Sequence, residues 1–185
     1  MTTGTTVRSG TPKLAGLVQI TDHLYLSNSR AANDIVMVSA CKITCIINAT
    51  EDATSVPVPE VEYVRVPVAD SPDARLGDHF DTVADKIQRV AEQCGRTLVH
   101  CKAGVSRSAA LCLAYLMRHS GMTLVEAHRR VKSLRPIIRP NAGFWKQLID
   151  YEFKIHGKET VKMLMSPVGE VPDLYEGETR GLIPF

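Results

Sequence analysis

The chain has 185 residues, 44% of them hydrophobic, and a formal net charge of +2, enough for one well-buried globular domain and short for two. So mild a charge argues against a nucleic-acid binder, and no apolar run approaches the roughly 20 residues of a membrane span, so no stable membrane insertion is expected. The five cysteines are odd in number, lack a CxxC pair and show no zinc-ligand spacing with histidine; they read as reduced thiols of an intracellular protein, cytoplasmic or nuclear, with no metal and no cofactor.

The first 21 residues contain no acid, two basic residues and several threonines. That composition is shared with mitochondrial targeting peptides, but Gly and Pro oppose an amphipathic helix, and residues 1–16 are expected to form a flexible tail. Leu17 to Ile20 and Leu24 to Ser27 flank Thr21-Asp22 and predict an edge hairpin. Ala31 to Ala40 predicts one short helix, and Lys42 to Asn48 a strand buried on both faces. After a Pro-containing loop from Glu51 to Pro59, a second strand runs from Tyr63 to Val68 and ends at the turn Ala69-Asp70-Ser71-Pro72.

Asp78 is positioned to cap a helix whose Phe80, Val83, Ala84, Ile87, Val90 and Ala91 share one face. A buried strand over Thr97 to Cys101 follows, then a helix from about Arg107 to Arg118. Thr123 and Glu126 have capping-box spacing and open a helix with Leu124, Ala127, Val131 and Leu134 inward, ended by Pro136. Asn141 is expected to cap a last helix carrying Phe144, Leu148, Tyr151 and Ile155, closed by Gly157. Residues 17–157 thus predict an α/β domain, a central, mainly parallel twisted sheet of about five strands flanked by helices. The extension over 158–185 is too apolar for free disorder and too rich in Pro for one helix; it is expected to pack on the domain or to bind a partner.

Between the strand and helix of the third quarter lies the run His100-Cys101-Lys102-Ala103-Gly104-Val105-Ser106-Arg107-Ser108. A glycine-containing strand-to-helix loop gathers unpaired N–H groups and the positive end of a helix, a ready cradle for phosphate. Lys102 to Arg107 would form that cradle. Cys101 is the candidate nucleophile: lowering a thiol pKa from about 8.5 to about 6 requires on the order of 3.4 kcal/mol, which loop N–H groups, the helix end and a cation can supply together. Arg107 offers a planar fork to two phosphate oxygens and to charge developing in the transition state. Ser108 is placed to support the sulfur as a leaving group. Asp70, at the end of a neighbouring strand, is the candidate general acid and base. The thiolate and a protonated acid must coexist, which predicts a rate optimum on the acid side of neutrality. His100 and Asn141 are supporting candidates, one as a buried imidazole or thiol tuner, the other as a cap that could also tie its loop to the cradle.

This run resembles the HC-x5-R-S signature of cysteine-dependent protein phosphatases, and AGVSRS has the form typical of dual-specificity phosphatases. Val66-Pro67-Val68-Ala69-Asp70, Tyr115-Leu116-Met117 and Arg135-Pro136-Ile137-Ile138-Arg139-Pro140-Asn141 are similar to segments of the small, single-domain atypical members. The resemblance spans about residues 17 to 157. It implies a metal-independent phosphatase fold acting on phosphotyrosine and phosphoserine/threonine, with phosphorylated proteins as partners, mitogen-activated kinases or their upstream regulators among them. It leaves the oligomeric state open. Lys102 is a departure, because a CKAG sequence also occurs in phosphoinositide phosphatases; those carry a second basic residue where this chain has Val105. A catalytically weak phosphoprotein-binding module and a phosphoinositide phosphatase are the alternative readings.

Overall fold

The computed structural model describes residues 16–53 and 57–179. All but Gly16 of the tail expected over 1–16, part of the 51–59 loop and the end of the C-terminal extension lie outside the described residues. Five strands, β1 (Leu17–Gln19), β2 (Leu24–Ser27), β3 (Cys45–Asn48), β4 (Glu62–Arg65) and β5 (Thr97–His100), form one sheet in the order β1-β2-β5-β3-β4. Only the edge hairpin β1–β2 is antiparallel; β5 pairs in parallel with β2 and β3, and β3 with β4. All four residues of β2, β3 and β5 are buried, as expected for parallel strands covered on both faces. Because β3, β4 and β5 run the same way, the segments carrying Cys101 and Asp70 leave the sheet at one end. In open parallel sheets that end holds the ligand site.

Helices α1 (Ser29–Ala32) and α2 (Ile35–Ala40) precede β3, and a 3-10 turn over Leu76–His79 leads into α3 (Phe80–Glu92). After β5 come α4 (Arg107–His119), α5 (Leu124–Leu134) and α6 (Ala142–His156). α4 is the axis of the core: every residue from Arg107 to Met117 is buried. A helix buried on every side has no face to offer water, and α3, α5 and α6 pack around it. Burying a Leu or Met side chain stabilises by ~1.5–3 kcal/mol over leaving it exposed, so Leu111, Leu113, Leu116 and Met117 hold the first turn of α4 in place from below. A smaller cluster on the other sheet face joins Tyr25, Ala32, Val38, Ile43, Ile46 and Leu98.

The capping box forms as expected: Thr123 and Glu126 exchange hydrogen bonds at the start of α5. Buried Glu152 of α6 adds a second tie there, accepting from the Leu124 N–H at 2.9 Å and from Thr160 N–H and Oγ1 at 2.8 and 2.7 Å. Beyond α6 the chain makes a hairpin of β6 (Met163–Ser166) and β7 (Gly169–Pro172), then a 3-10 turn and α7 (Glu176–Thr179). Tyr175 of this segment is buried against Trp145 and His128, and the Arg139 guanidinium lies 4.3 Å from its ring centroid.

Three local expectations need correction. The segment expected as one helix over 31–40 is two, because Asn28 and Asp34 each cap a new start with their side chains. Asp78 does not cap α3; it pairs with Arg75, and the 3-10 turn supplies the entry instead. Leu134, expected inward, is 42% exposed because the helix ends there and the chain turns toward the cradle.

His128 is buried beneath the extension, and its Nε2 has no hydrogen-bond partner among the described residues. Burial first, and then the charge of Lys132, push its pKa down to about 4. With a folded value below the unfolded one of about 6.5, stability is full above pH 6.5 and falls as pH drops toward 4, by roughly 3 kcal/mol for this group. Urea titrations at pH 7.5 and 4.5 will show a smaller difference for His128→Phe than for wild type.

Candidate active site

The loop from Cys101 to Ser106 carries its backbone polar groups in a strict division. Cys101 is 2% exposed at the end of β5. The Gly104 N–H donates to its Sγ at 3.2 Å, Ser108 Oγ lies 3.1 Å from the sulfur, and the N–H groups of Val105 and Ser108 also reach it. Burial pushes the thiol pKa up, but these hydrogen bonds outweigh it and leave the pKa below the ordinary thiol value.

The carbonyl oxygens of the same residues all have donors elsewhere. Ser29 Oγ donates to the Cys101 carbonyl at 2.8 Å and Ser29 N–H to that of Lys102 at 3.1 Å. Arg135 Nη2 reaches the Ala103 oxygen at 3.3 Å and Nε the Gly104 oxygen at 2.8 Å. Arg139 N–H donates to the Val105 oxygen at 2.7 Å, and Ala110 N–H to that of Ser106 at 2.9 Å. Gly104 has φ +67, and a Cβ there would stand 2.7 Å from both Arg135 Nη2 and the Ser27 carbonyl oxygen. Only glycine fits this point.

Arg107 opens α4 and is buried. Its Nη1 donates to the Val68 carbonyl at 3.0 Å, while its Nε has no partner among the described residues. The bond to Val68 ties the cradle to the strand exit that carries Asp70. Asp70 itself is exposed and accepts a hydrogen bond from Asn141 Nδ2 at 2.9 Å. Asn141 does two further things: its Oδ1 caps α6 through the Phe144 N–H at 2.9 Å, and its own N–H donates to Ser106 Oγ at 3.0 Å. One side chain and its amide therefore join the Asp70 carboxylate, the loop and a helix start. The Asp70 turn approaches α6 so closely that a Cβ at Gly143 would collide with the Pro72 carbonyl. Farther along, Gln147 accepts from the Gly77 N–H at 2.7 Å and donates to the Ala74 carbonyl at 2.9 Å.

His100 is buried, with Nδ1 donating to the Cys101 carbonyl at 3.3 Å, and burial lowers its pKa, favouring a neutral ring. Lys102 and Ala103 are exposed at the rim, Val105 is half-buried, and Gly104, Ser106 and Ser108 are buried. The structure thus brings together all the residues singled out in the sequence. It adds Ser29, Arg135, Gly143 and Gln147, which reasoning from spacing did not find; Arg135 lay inside a segment noted for its resemblance, but its role had no signal in periodicity. Among the described residues no group of three or more His, Cys, Asp or Glu side chains could hold a metal ion.

A thiol with a lowered pKa beneath converging N–H donors, beside a buried arginine and a tethered carboxylate, gathers the groups that suit a phosphate-sized anion. Residues 24–154 match the family model described as dual specificity phosphatase, catalytic domain. The chain is 56% identical over 174 residues to dual specificity protein phosphatase 18 of Homo sapiens, covering 94% of this chain and 93% of that one. It is 53% identical to the human dual specificity protein phosphatase 14, over 93% and 87% of the two chains. The crystal structure of human DUSP28 superposes with a TM-score of 0.73 at 37% identity, covering 78% of this chain and 98% of that one. This chain belongs to the dual-specificity phosphatase family.

Ser108→Ala removes the side-chain donor at the sulfur. The alkylation of Cys101 by iodoacetamide, followed on its own peptide by mass spectrometry across pH, is expected to give a thiol pKa raised by about one unit.

Proposed function

We propose that the protein hydrolyses phosphotyrosine and phosphoserine/threonine in other proteins through a cysteinyl-phosphate intermediate. The observation that carries this reading is the double tether of Asn141, which joins the Asp70 carboxylate to the same cradle that surrounds Cys101. A binding site needs only the cradle; hydrolysis needs a proton donor held to it.

In the first step the Cys101 thiolate attacks phosphorus, a P–S bond forms, and the ester P–O bond breaks as Asp70 gives its proton to the departing oxygen. Loop N–H groups and the Arg107 guanidinium take the three equatorial oxygens, where charge accumulates. In the second step water attacks phosphorus and loses a proton to Asp70. The P–S bond breaks, inorganic phosphate is released, and the sulfur leaves as a thiolate supported by Ser108. No cofactor enters either step. The exposure of Asp70, Lys102 and Ala103 favours a shallow entrance that admits the shorter phosphothreonine as well as phosphotyrosine.

Phosphorylated proteins are the substrates this reading requires, with mitogen-activated kinases and their regulators as the candidates that family membership suggests. A cytoplasmic or nuclear site of action fits the five free cysteines. Among the described residues no helix is long and apolar enough to cross a membrane.

Hydrolysis of an aryl phosphate by wild type and its loss in Cys101→Ser tests the nucleophile; equal rates would sink it. Asp70→Ala is expected to lower kcat by about 10²–10⁴-fold on a phosphopeptide, whose leaving group needs the proton. Asn141→Asp keeps a good helix cap but sets two carboxylates side by side. We expect a melting temperature near wild type with kcat about tenfold lower, the worth of one lost hydrogen bond.

A further inference from the structure

Arg135 lies at the end of α5, outside the signature loop and on the far side of it from the sulfur. Its side chain is 7% exposed, and burial lowers its pKa. Each guanidinium nitrogen makes a bond: Nε on the Gly104 carbonyl, Nη2 on that of Ala103, and Nη1 on that of Gly16 at 3.2 Å. In a trans peptide the C=O and N–H point in opposite directions. The Ala103 oxygen and the Gly104 N–H belong to one peptide plane; the Gly104 oxygen and the Val105 N–H belong to the next. Arg135 grips the outer ends of these two planes, and their inner ends are the N–H groups that reach the Cys101 sulfur.

We propose that Arg135 is a positioning residue that aims the Gly104 and Val105 N–H groups at the reacting centre by holding their peptide planes from behind, and so sets both thiolate formation and phosphate binding. The proposal rests on the phosphatase reading for its biological meaning, but not for its test. A free loop with a glycine at its middle would let either plane rotate. A lysine could hold one carbonyl but not two in parallel, since only the guanidinium is a planar fork. The other charged or titratable groups around the sulfur are His100 on β5, Lys102 in the loop, Arg107 and Cys112 on α4, and Asp70 at the exit of β4. Of these none bonds the Ala103 or Gly104 carbonyl. The α1 side contributes uncharged Ser29, whose two bonds go to the Cys101 and Lys102 carbonyls.

The experiment compares wild type with Arg135→Met, Arg135→Lys and, as a control, Arg130→Met. Arg130 also sits on α5 and also donates twice to a backbone carbonyl, that of Ile20, well away from the loop. Two readouts need no turnover: the pH profile of Cys101 alkylation by iodoacetamide, and protection of Cys101 from that alkylation by inorganic phosphate. For Arg135→Met we expect a thiol pKa raised by about one unit and phosphate protection weakened about tenfold, with Arg130→Met at wild-type values in both. Arg135→Lys keeps the buried charge and carries the test if the methionine variant does not fold; it is expected to weaken phosphate protection nearly as much, because a single ammonium leaves one plane free. Wild-type values of both readouts in Arg135→Lys would overturn the proposal, since charge alone would then suffice. So would wild-type values in a folded Arg135→Met, or equal shifts in Arg130→Met. If wild type hydrolyses no phosphoester while these shifts appear, the phosphatase reading fails and the positioning role stands.

Discussion

The loop around Cys101 works because its carbonyls have somewhere else to go. A peptide carbonyl near a thiolate or a phosphate would repel it, and a planar peptide cannot turn its oxygen away without turning its N–H inward. From Cys101 to Ser106 each oxygen is bonded by a donor from another part of the chain or from the helix that follows. The anion-binding face is therefore the by-product of satisfying the opposite face. Buried backbone groups are almost always paired, so ordinary folding pressure on the oxygens produces a functional arrangement of the nitrogens.

The donors for those oxygens come from separate places: the start of α1, the end of α5, the approach to α6 and the first turn of α4. Each is fixed by its own local device. Asn28 caps α1 and so places Ser29; Asn141 caps α6 and so places the turn that carries the Arg139 N–H. α4 cannot shift without exposing the apolar stretch from Ala109 to Met117, every residue of which is buried. Placing a desolvated guanidinium behind the loop is costly by itself. Three carbonyls accept from it and its charge remains close to the sulfur, so the cost is offset where the thiolate benefits.

This division explains what could be read in the sequence. The strand and helix on either side of His100 to Ser108 were legible because their apolar runs are continuous and their turn residues local. The Thr123 and Glu126 box and the Asn141 cap were legible for the same reason, since a cap is a contact between near neighbours in sequence. The break between α1 and α2 was missed although Asp34 carries a local signal, because an apolar run on both sides of Asn33-Asp34 looked like one period. Arg135, Ser29 and Gly143 had no such signal. Each acts on a segment more than thirty residues away, and only tertiary approach reveals a carbonyl in need of a donor or a turn in need of room.

Asp70 is placed by the same kind of distant contact. A carboxylate on a long mobile lid would reach the leaving oxygen only after closure, and closure can itself limit the rate. Here Asp70 is tied to Asn141, its turn rests on Gly143, and the chain beyond it is bonded on both polar atoms by Gln147, all on α6. Arg107 reaches across to the Val68 carbonyl in the segment that leaves β4 toward Asp70. Asp70 is thus held by the elements that hold the loop around Cys101, so the separation of these two side chains is set during folding. An exposed carboxylate fixed in this way needs no lid to stand beside the loop, because its position comes from the start of α6 and from the close approach of its turn to Gly143.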